Sequence, residues 1–327
     1  MLAPGYRLRP PAALEAEAVA ELANRCTRHA DGVDEWTTEE LAGFWDEPGI
    51  DRERDCRVIV AADGALVGYL DGVSYPPHVE LRAFGCVDPD HRGRGLGSVL
   101  VAVGERWANE RLELAAAGER VVAIAGCSTN ATDAASLLRD HGYTPARTFV
   151  RMRIALAASR AVEPVASLDL RPYVESRDAR AVYDVVTEVF RDHWGRSEEP
   201  FDAWQQFHRA RPAAYRDDAL WLLAYDGDRL VAFALSERRT PDDPGCGHLT
   251  ELGVVRSHRQ RGIASWLLQR SFHELAARGA TALQLSVDSE SETGAFGLYE
   301  RAGMQPVRSF QMYSKELRAG ATPPPAS

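Results

Sequence analysis

The chain has 327 residues, 45% of them apolar, which is long for one compact core and supplies enough hydrophobic surface for two packed domains, so disorder is not the default. Lysine and arginine total 38 against 48 acidic residues, a formal charge of −10, so most of the surface repels nucleic acid and anionic membranes and any anion must be captured locally. Cys26, Cys56, Cys86, Cys127 and Cys246 are scattered, odd in number and without a C-x-x-C, which argues against a disulfide framework or a zinc site and for reduced thiols.

In chain order, "GYRLRP" (5–10) predicts a short strand, and "EAEAVAELANRC" (15–26) and "TEELAGFW" (38–45) predict helices. "DCRVIVAAD" (55–63) and "GALVGYLDGV" (64–73) read as strands, followed by the strand "VELRAFGCV" (79–87). A basic, glycine-bearing turn, "DPDHRGRGLG" (88–97), then opens the amphipathic helix "GSVLVAVGERWANERLELA" (97–115). "RVVAIAGC" (120–127) is a strand, "DAASLLRDHG" (133–142) a helix and "YTPARTFVRMRIAL" (143–156) a strand.

The second half repeats this order. "LDLRPY" (168–173) is a strand, and "RDARAVYDVVTEVF" (177–190) and "PFDAWQQFHRA" (200–210) are helices. "ALWLLAYDGDRLVAFALSE" (219–237) is a hairpin about Asp-Gly-Asp, and the strand "HLTELGVV" (248–255) enters "RSHRQRGIASW" (256–266). A helix to Gly279, the strand "ALQLSVD" (282–288), a helix "GAFGLYERAG" (294–303) and the strand "QPVRSFQMYSKEL" (305–317) complete it. The expected domains are residues 1–156 and 168–318, joined by a linker at 157–167 and followed by a disordered tail at 319–327. The opening residues lack the pattern of a signal peptide and no apolar run approaches membrane-spanning length, so a cytoplasmic protein is expected.

The two copies of R-x-x-G-x-(G/A) start at Arg92 and Arg259, 167 residues apart (259 − 92). In each, a strand runs into the turn and a helix leaves it. A helix N-terminus has unpaired N–H groups and partial positive charge, and glycine lets an anion approach that backbone, so the turn reads as a phosphate or pyrophosphate cradle. It has no Walker A lysine, and "GRGLG" (93–97) spaces its glycines unlike a Rossmann fingerprint.

Each half resembles the GNAT superfamily of acyl-CoA-dependent N-acyltransferases, through "VDPDHRGRGLGSVLV" with "NATDAASLLRDHGY", and through "LGVVRSHRQRGIASWLL" with "VDSESETGAFGLYERAGM". The resemblance implies an α/β (α+β) fold of two tandem GNAT-like domains. Each would be a mixed, mostly antiparallel sheet flanked by helices, with a splayed fourth and fifth strand holding the pantetheine arm. It implies acetyl-CoA as cosubstrate, no metal, and a small-molecule amine acceptor, with no nucleic acid or membrane partner and a monomeric or homodimeric state. The doubled layout is similar to that of the mycothiol synthases, though no motif singles out mycothiol as product.

By the resemblance, the coenzyme would lie on Leu252, Gly253, Val254, Arg259, Gln260, Arg261, Gly262, Ile263, Ala264 and Ser291 in the second half. In the first half the corresponding residues are Val87, Arg92, Gly93, Arg94, Gly95, Leu96, Gly97 and Asn130. Aligning Gly303 with Gly142 sets Tyr299 opposite Leu138 and Ser291 opposite Asn130. The family tyrosine protonates the departing thiolate, which a leucine cannot do. The second half is therefore expected to be catalytic and the first degenerate.

Glu251 and His248 are candidates for the base, Glu251 being preferred. Strict alternation puts them on opposite strand faces unless a bulge intervenes, and Gly253 would permit one. An amide near Leu252 to Val254 would meet the oxyanion. Glu80 occupies a comparable place in the first half and reads as structural or substrate-adjacent. Around 190–208, His193 and Trp194 are expected to wall the acceptor pocket, with Asp192, Glu198 and Glu199 suited to a cationic amine, while Phe201 and Trp204 are expected in the core. Three further functions stay open: acetylation of a cysteinyl pseudo-disaccharide, a non-catalytic acyl-CoA sensor, and dinucleotide-dependent redox chemistry.

Overall fold

The structure is a computed structural model that describes residues 2–47, 49–156, 168–191, 193–194, 200–211, 213–291 and 293–321. The expected linker at 157–167 lies outside the described residues, as does the tail from 322. The chain forms two compact units, residues 1–148 with 310–327, and residues 149–309.

The first unit contains β1 (Arg7–Arg9), α1 (Ala16–Asp31), α2 (Thr38–Trp45), α3 (Arg52–Asp55), β2 (Cys56–Val60), β3 (Leu66–Val73), β4 (Glu80–Val87), α4 (Leu96–Asn109), β5 (Val121–Ser128) and α5 (Thr132–Asp140). The strand β6 (Thr144–Ala155) begins in it. Local chemistry sets the helix ends. Thr37 and Glu40 form a reciprocal capping box at the start of α2, and Gly32, at φ 75°, stops α1. Neighbours along β1-β2-β3-β4 are antiparallel, and β4–β5 is parallel. Helices α1 and α2 bury Val19, Leu22, Leu41 and Trp45 against one face of this sheet. On the other face α4 buries Leu96 and Leu100.

The second unit begins within β6 and continues with β7 (Asp169–Pro172), α6 (Glu175–Phe190), α7 (Phe201–Ala210), β8 (Leu222–Asp226) and β9 (Arg229–Glu237). It goes on through β10 (Cys246–Val254), α8 (Ile263–Ala277), β11 (Ala282–Asp288), α9 (Ala295–Arg301) and the start of β12 (Gln305–Arg318). Again β7-β8-β9-β10 are antiparallel neighbours and β10–β11 is parallel. Helices α6 and α7 cover one face through Val182, Val186 and Trp204. Helices α8 and α9 cover the other through Leu267, Leu268, Leu275 and Tyr299. The mixed, mostly antiparallel sheet flanked by helices expected for each half is present.

The units do not divide at the expected boundaries, 156 and 168. In the first unit β5 takes residues Phe310 to Arg318 of β12 as its antiparallel neighbour. In the second, β11 takes Phe149 to Ala155 of β6. The closing strand of each sheet is therefore encoded in the other half of the sequence. Strand pairing is non-local, so a strand's composition does not name its partner.

Asp71, on β3 beside α1 and α2, is a buried carboxyl that burial pushes from the ordinary 3.8 to about 7. The folded state then holds a proton that the unfolded chain releases above about pH 4. Stability from this group is complete below that pH and is lost as pH rises to about 7. Asp71→Asn is expected to raise the urea midpoint of the first unit at pH 8, with a gain that shrinks steadily towards pH 4.

Candidate active site

Parallel pairing between β10 and β11 lasts three residues, from Cys246↔Ala282 to His248↔Gln284. Beyond it β10 runs on to Val254 and β11 to Asp288 without pairing, so the two strands open into a fork. Strand β10 keeps β9 on its other side, and in an antiparallel pair alternate amides face away from the partner. Alternate amides along Leu252 to Val254 therefore face the fork, as the oxyanion expectation requires.

Within β10 the register against β9 slips between Leu249 and Glu251, leaving Thr250 as the extra residue. Its hydroxyl donates to the Leu235 carbonyl at 2.9 Å. This bulge corrects two expectations. It lies at Thr250, not Gly253, and it resets the alternation so that His248 and Glu251 line one cavity. Gly253 is instead a packing glycine, since a Cβ there would stand 2.4 Å from Phe233 Cζ and 2.9 Å from Val189 Cγ1.

The cavity has a volume of ≈ 360 Å3 and is enclosed by α7, the segment before β8, and β9 and β10. His248 Nδ1 lies 3.7 Å from Glu237 Oε2, beyond hydrogen-bond distance. Arg211 grips Glu237 through Nε at 2.7 Å and Nη2 at 3.0 Å. Burial raises the Glu237 carboxyl, but His248 and Arg211 outweigh it and hold the group below its ordinary value. Glu237 is therefore an ionised anchor for His248.

His193 and Trp194 do not line this cavity. Trp194 packs on Phe149 at 6.0 Å and His193 on Phe190 at 4.7 Å, both edge or tilted ring contacts. Trp204, expected only in the core, is both 2% exposed and part of the cavity wall. Asp192, Glu198 and Glu199 lie outside the described residues.

The turn after β10 carries two left-handed residues, Gln260 at φ 61° and Gly262 at φ 78°, and Gly262 is the N-cap of α8. Gly93 and Gly95 repeat them at 72° and 76° before α4. Such alternation turns successive N–H groups to one side, a concavity suited to anions. The first helical amide bond in α8 is Trp266 N–H to Gly262, at 3.0 Å, so the amides of Ile263, Ala264 and Ser265 precede it. No side chain caps the helix and no acidic residue sits in its first turn. Nothing lies within 4 Å of the Cβ position on Gly262. An uncapped, open helix start of this kind fits a pyrophosphate.

The arginines divide their work. Arg259 Nε donates to the Val254 carbonyl at 3.0 Å, and Arg92 Nε repeats the contact with Val87 at 3.5 Å, so each folds its turn back onto the strand end. Arg261 is exposed, whereas Arg94 bonds Tyr6 Oη at 2.7 Å and the Asp90 carbonyl at 3.1 Å. Ile263 and Leu96 bury their side chains and offer only backbone. Gly97 is a contact between α4 and α5, with Leu137 Cδ2 2.8 Å from its Cβ position, while Ala264 carries a methyl at the matching place.

Tyr299 lies on α9 with its ring in the cluster of Ile263, Leu285 and Val287. Burial pushes its hydroxyl up to about 12, which keeps the phenol protonated at neutral pH. It is not part of the cavity wall. Ser291 closes the turn before α9 through Thr293 Oγ1 at 2.9 Å.

The first unit has the same fork, with pairing from Glu80↔Val122 to Arg82↔Ile124, but no bulge in β4. At the 167-residue offset Phe84 stands where the second unit has Glu251, and its Cε1 lies 3.2 Å from the Cβ position on Gly126 of β5. Arg82, opposite Val73 as His248 is opposite Glu237, pairs with Glu80 at 2.7 Å. Leu138 is buried in an apolar cluster. Asn130 spends its amide on Asp31 at 2.9 Å. Among the described residues no group of three or more His, Cys, Asp or Glu could hold a metal ion, and no helix is long and apolar enough to cross a membrane.

The sequence profile of the Acetyltransferase (GNAT) family matches residues 16–143 and 179–304. A mycothiol acetyltransferase of Geodermatophilus obscurus is 30% identical over 252 residues, covering 74% of this chain and 76% of the relative. One of Nocardia farcinica is 28% identical over 299 residues, 89% and 91% of the two chains. A GCN5-related N-acetyltransferase from Sphaerobacter thermophilus superposes with a TM-score of 0.83 at 34% identity, over 98% of each chain. A tandem GNAT protein from the clavulanic acid biosynthesis pathway shares the fold alone, with a TM-score of 0.75 at 14% identity over 95% and 98% of the two chains.

A branched side chain at Gly262 meets both a left-handed backbone and the mouth of the cradle. Gly262→Val is expected to weaken acetyl-CoA binding by at least about tenfold in calorimetry, ~1.4 kcal/mol. Gly95→Val, strained in the same way, is expected to lower the melting temperature comparably and leave that affinity near wild type.

Proposed function

The chain belongs to the GNAT acetyltransferase family and is an N-acetyltransferase, and on that premise we propose that its second unit acetylates a small-molecule primary amine by direct attack on the thioester of acetyl-CoA. The observation that carries the reading is the bulge at Thr250, which gives a carboxylate and an imidazole to one cavity at the mouth of an open strand fork.

In this reading the pyrophosphate rests on the amides from Gln260 to Ala264 and the pantetheine arm enters between β10 and β11. Glu251 takes the proton from the acceptor ammonium, directly or through water. The freed amine adds to the thioester carbonyl, and the oxyanion is met by an amide of the Leu252 to Val254 stretch. Collapse breaks the C–S bond, the Tyr299 phenol gives its proton to the departing thiolate, and the resulting phenolate takes the excess proton from the acetylated nitrogen to leave the neutral amide. The phenol's elevated affinity for its proton keeps it available as a donor across the neutral range. His248, anchored by Glu237, holds the acceptor.

The unequal halves support a single centre. At the places of Glu251 and Tyr299 the first unit has Phe84 and Leu138, neither of which can move a proton, so its role is to support the fold. A second, narrower reading takes the acceptor to be the cysteinyl pseudo-disaccharide precursor of mycothiol, and it rests on the names of the relatives.

Tyr299→Phe is expected to lower kcat by about 10²-fold with little change in the KM for acetyl-CoA, as followed by release of free thiol. Glu251→Gln is expected to abolish the acidic limb of the kcat/KM profile. A profile that keeps its shape and height in this variant moves the base to another group.

A further inference from the structure

All five cysteines are free thiols, and their surroundings differ. Burial pushes Cys56 up to about 12 and Cys127 and Cys246 up to about 11, which keeps those three protonated and unreactive. Cys26, on α1, moves the other way. Its sulfur meets the thiol of Cys86 on β4, and that contact, aided by the Arg92 and Arg25 guanidiniums, holds it below the ordinary thiol value against burial and Asp88. Cys86 is raised, because its hydrogen is shared with Cys26 and because little water surrounds it. One sulfur of the pair is thus the readier thiolate and the other the hydrogen donor.

Packing, not sequence proximity, brings the two together, since Cys26 stands 60 residues before Cys86 (86 − 26). Cys26 Sγ donates to the carbonyl of Val87, the residue after Cys86, at 3.3 Å. Arg92 Nε donates to the same carbonyl at 3.5 Å, which brings its positive charge beside the thiols. Arg25, next to Cys26 in the chain, is held in place by Asp88 at 2.7 Å. Both sulfurs belong to the layer where α1 meets the sheet.

The pair also has a way in. Cys86 lies past Arg82, where β4 has its last pairing with β5, so it sits on the open arm of the first fork. It is partly exposed, and Gly85 before it is exposed. Cys26 is 7% exposed, enough for a small oxidant and too little for a bulky one. A thiolate beside positive charge, with a second thiol in contact, is the arrangement that favours reversible oxidation.

We propose that Cys26 and Cys86 form a reversible disulfide on exposure to a hydroperoxide, Cys26 attacking and Cys86 resolving, and that the bond staples α1 to β4. The Cys26 thiolate attacks one peroxide oxygen. An S–O bond forms and the O–O bond breaks. The sulfur is oxidised by two electrons and the peroxide reduced, and the departing hydroxide leaves as water with the proton that Cys26 gave up. The Cys86 sulfur then attacks the sulfenic sulfur. The S–S bond forms, the S–O bond breaks, and the second hydroxide leaves as water with the Cys86 proton. Two thiols and one peroxide become one disulfide and two waters, and a dithiol reductant reverses the change. Closing a 60-residue loop restricts the unfolded chain, so the oxidised first unit gains stability.

The test uses the full-length enzyme with hydrogen peroxide as the oxidant. Free thiols are counted, linked peptides are mapped by mass spectrometry, and the urea midpoint of the first unit is followed. The wild type is expected to fall from five free thiols to three (5 − 2), with the peptides of Cys26 and Cys86 joined, and to regain all five with dithiothreitol. Its urea midpoint is expected to rise on oxidation and to return on reduction. In Cys86→Ser the sulfenic acid has no resolving partner, and dimedone is expected to label Cys26. In Cys26→Ser, labelling of Cys86 is expected to be at least about tenfold slower. Peroxide is expected to leave the midpoint of both variants unmoved.

Five thiols retained under peroxide that oxidises free cysteine overturn the proposal. So does a link through Cys56, Cys127 or Cys246, equal labelling of Cys26 and Cys86 in the two variants, or a crosslinked wild type whose midpoint does not rise. The wild-type crosslink, its reversal and its midpoint decide the matter even where a variant fails to fold. None of these outcomes bears on the transferase reading of the second unit.

Discussion

A strand that leaves its neighbour must find other partners for its backbone, and in the second unit β10 leaves β11 after three residue pairs. Completing that ladder would satisfy the sheet and close the site. Leaving it open exposes main-chain groups that water or a bound ligand has to meet. The helices pack to support this opening. On one face α8 and α9 bury Ile263, Leu267 and Tyr299, and on the other α6 and α7 bury Val182 and Trp204. The turn follows from the same arrangement, because residues 255–262 carry the chain from β10 to α8 and pass through two left-handed residues on the way.

Repetition at 167 residues reproduces this frame in the first unit, yet only the frame. The fork, the left-handed pair of residues and the arginine folded onto the strand end recur. Glu251 and Tyr299 do not, Phe84 and Leu138 standing in their places. One inserted residue in β10 accounts for much of the difference, since without the bulge an acid at 251 and an imidazole at 248 would face opposite ways. In β4 the ladder against β3 is regular, and an aromatic ring and an ion pair take those places. The first unit buries the carboxyl of Asp71, raised by burial to about 7.

Almost every helix and strand was legible as a periodic pattern with local stop signals. Thr37 with Glu40, and Gly32, are cases where the residue type itself fixes the end. The turn before α8 was legible as well, because glycine at a positive φ and a helix start with no acidic residue are properties of neighbouring residues. Gly97 and Gly253 show the limit of that argument. Both belong to the motif stretches, and both are glycine because Leu137 and Phe233 come too close for a Cβ.

By itself the sequence determined the element order, the repeat and the left-handed turns at the two helix starts, since each depends on residues near one another in the chain. The tertiary structure decided three matters that depend on partners far away. It gave each sheet its closing strand from the opposite half of the chain, because strand pairing carries no label in composition. It shifted the bulge to Thr250, because register is settled between two strands and not within one. It joined Trp204, His248 and Glu251 around one cavity and left His193 and Trp194 away from it, because which side of a helix or loop meets the site is fixed only when the layers pack.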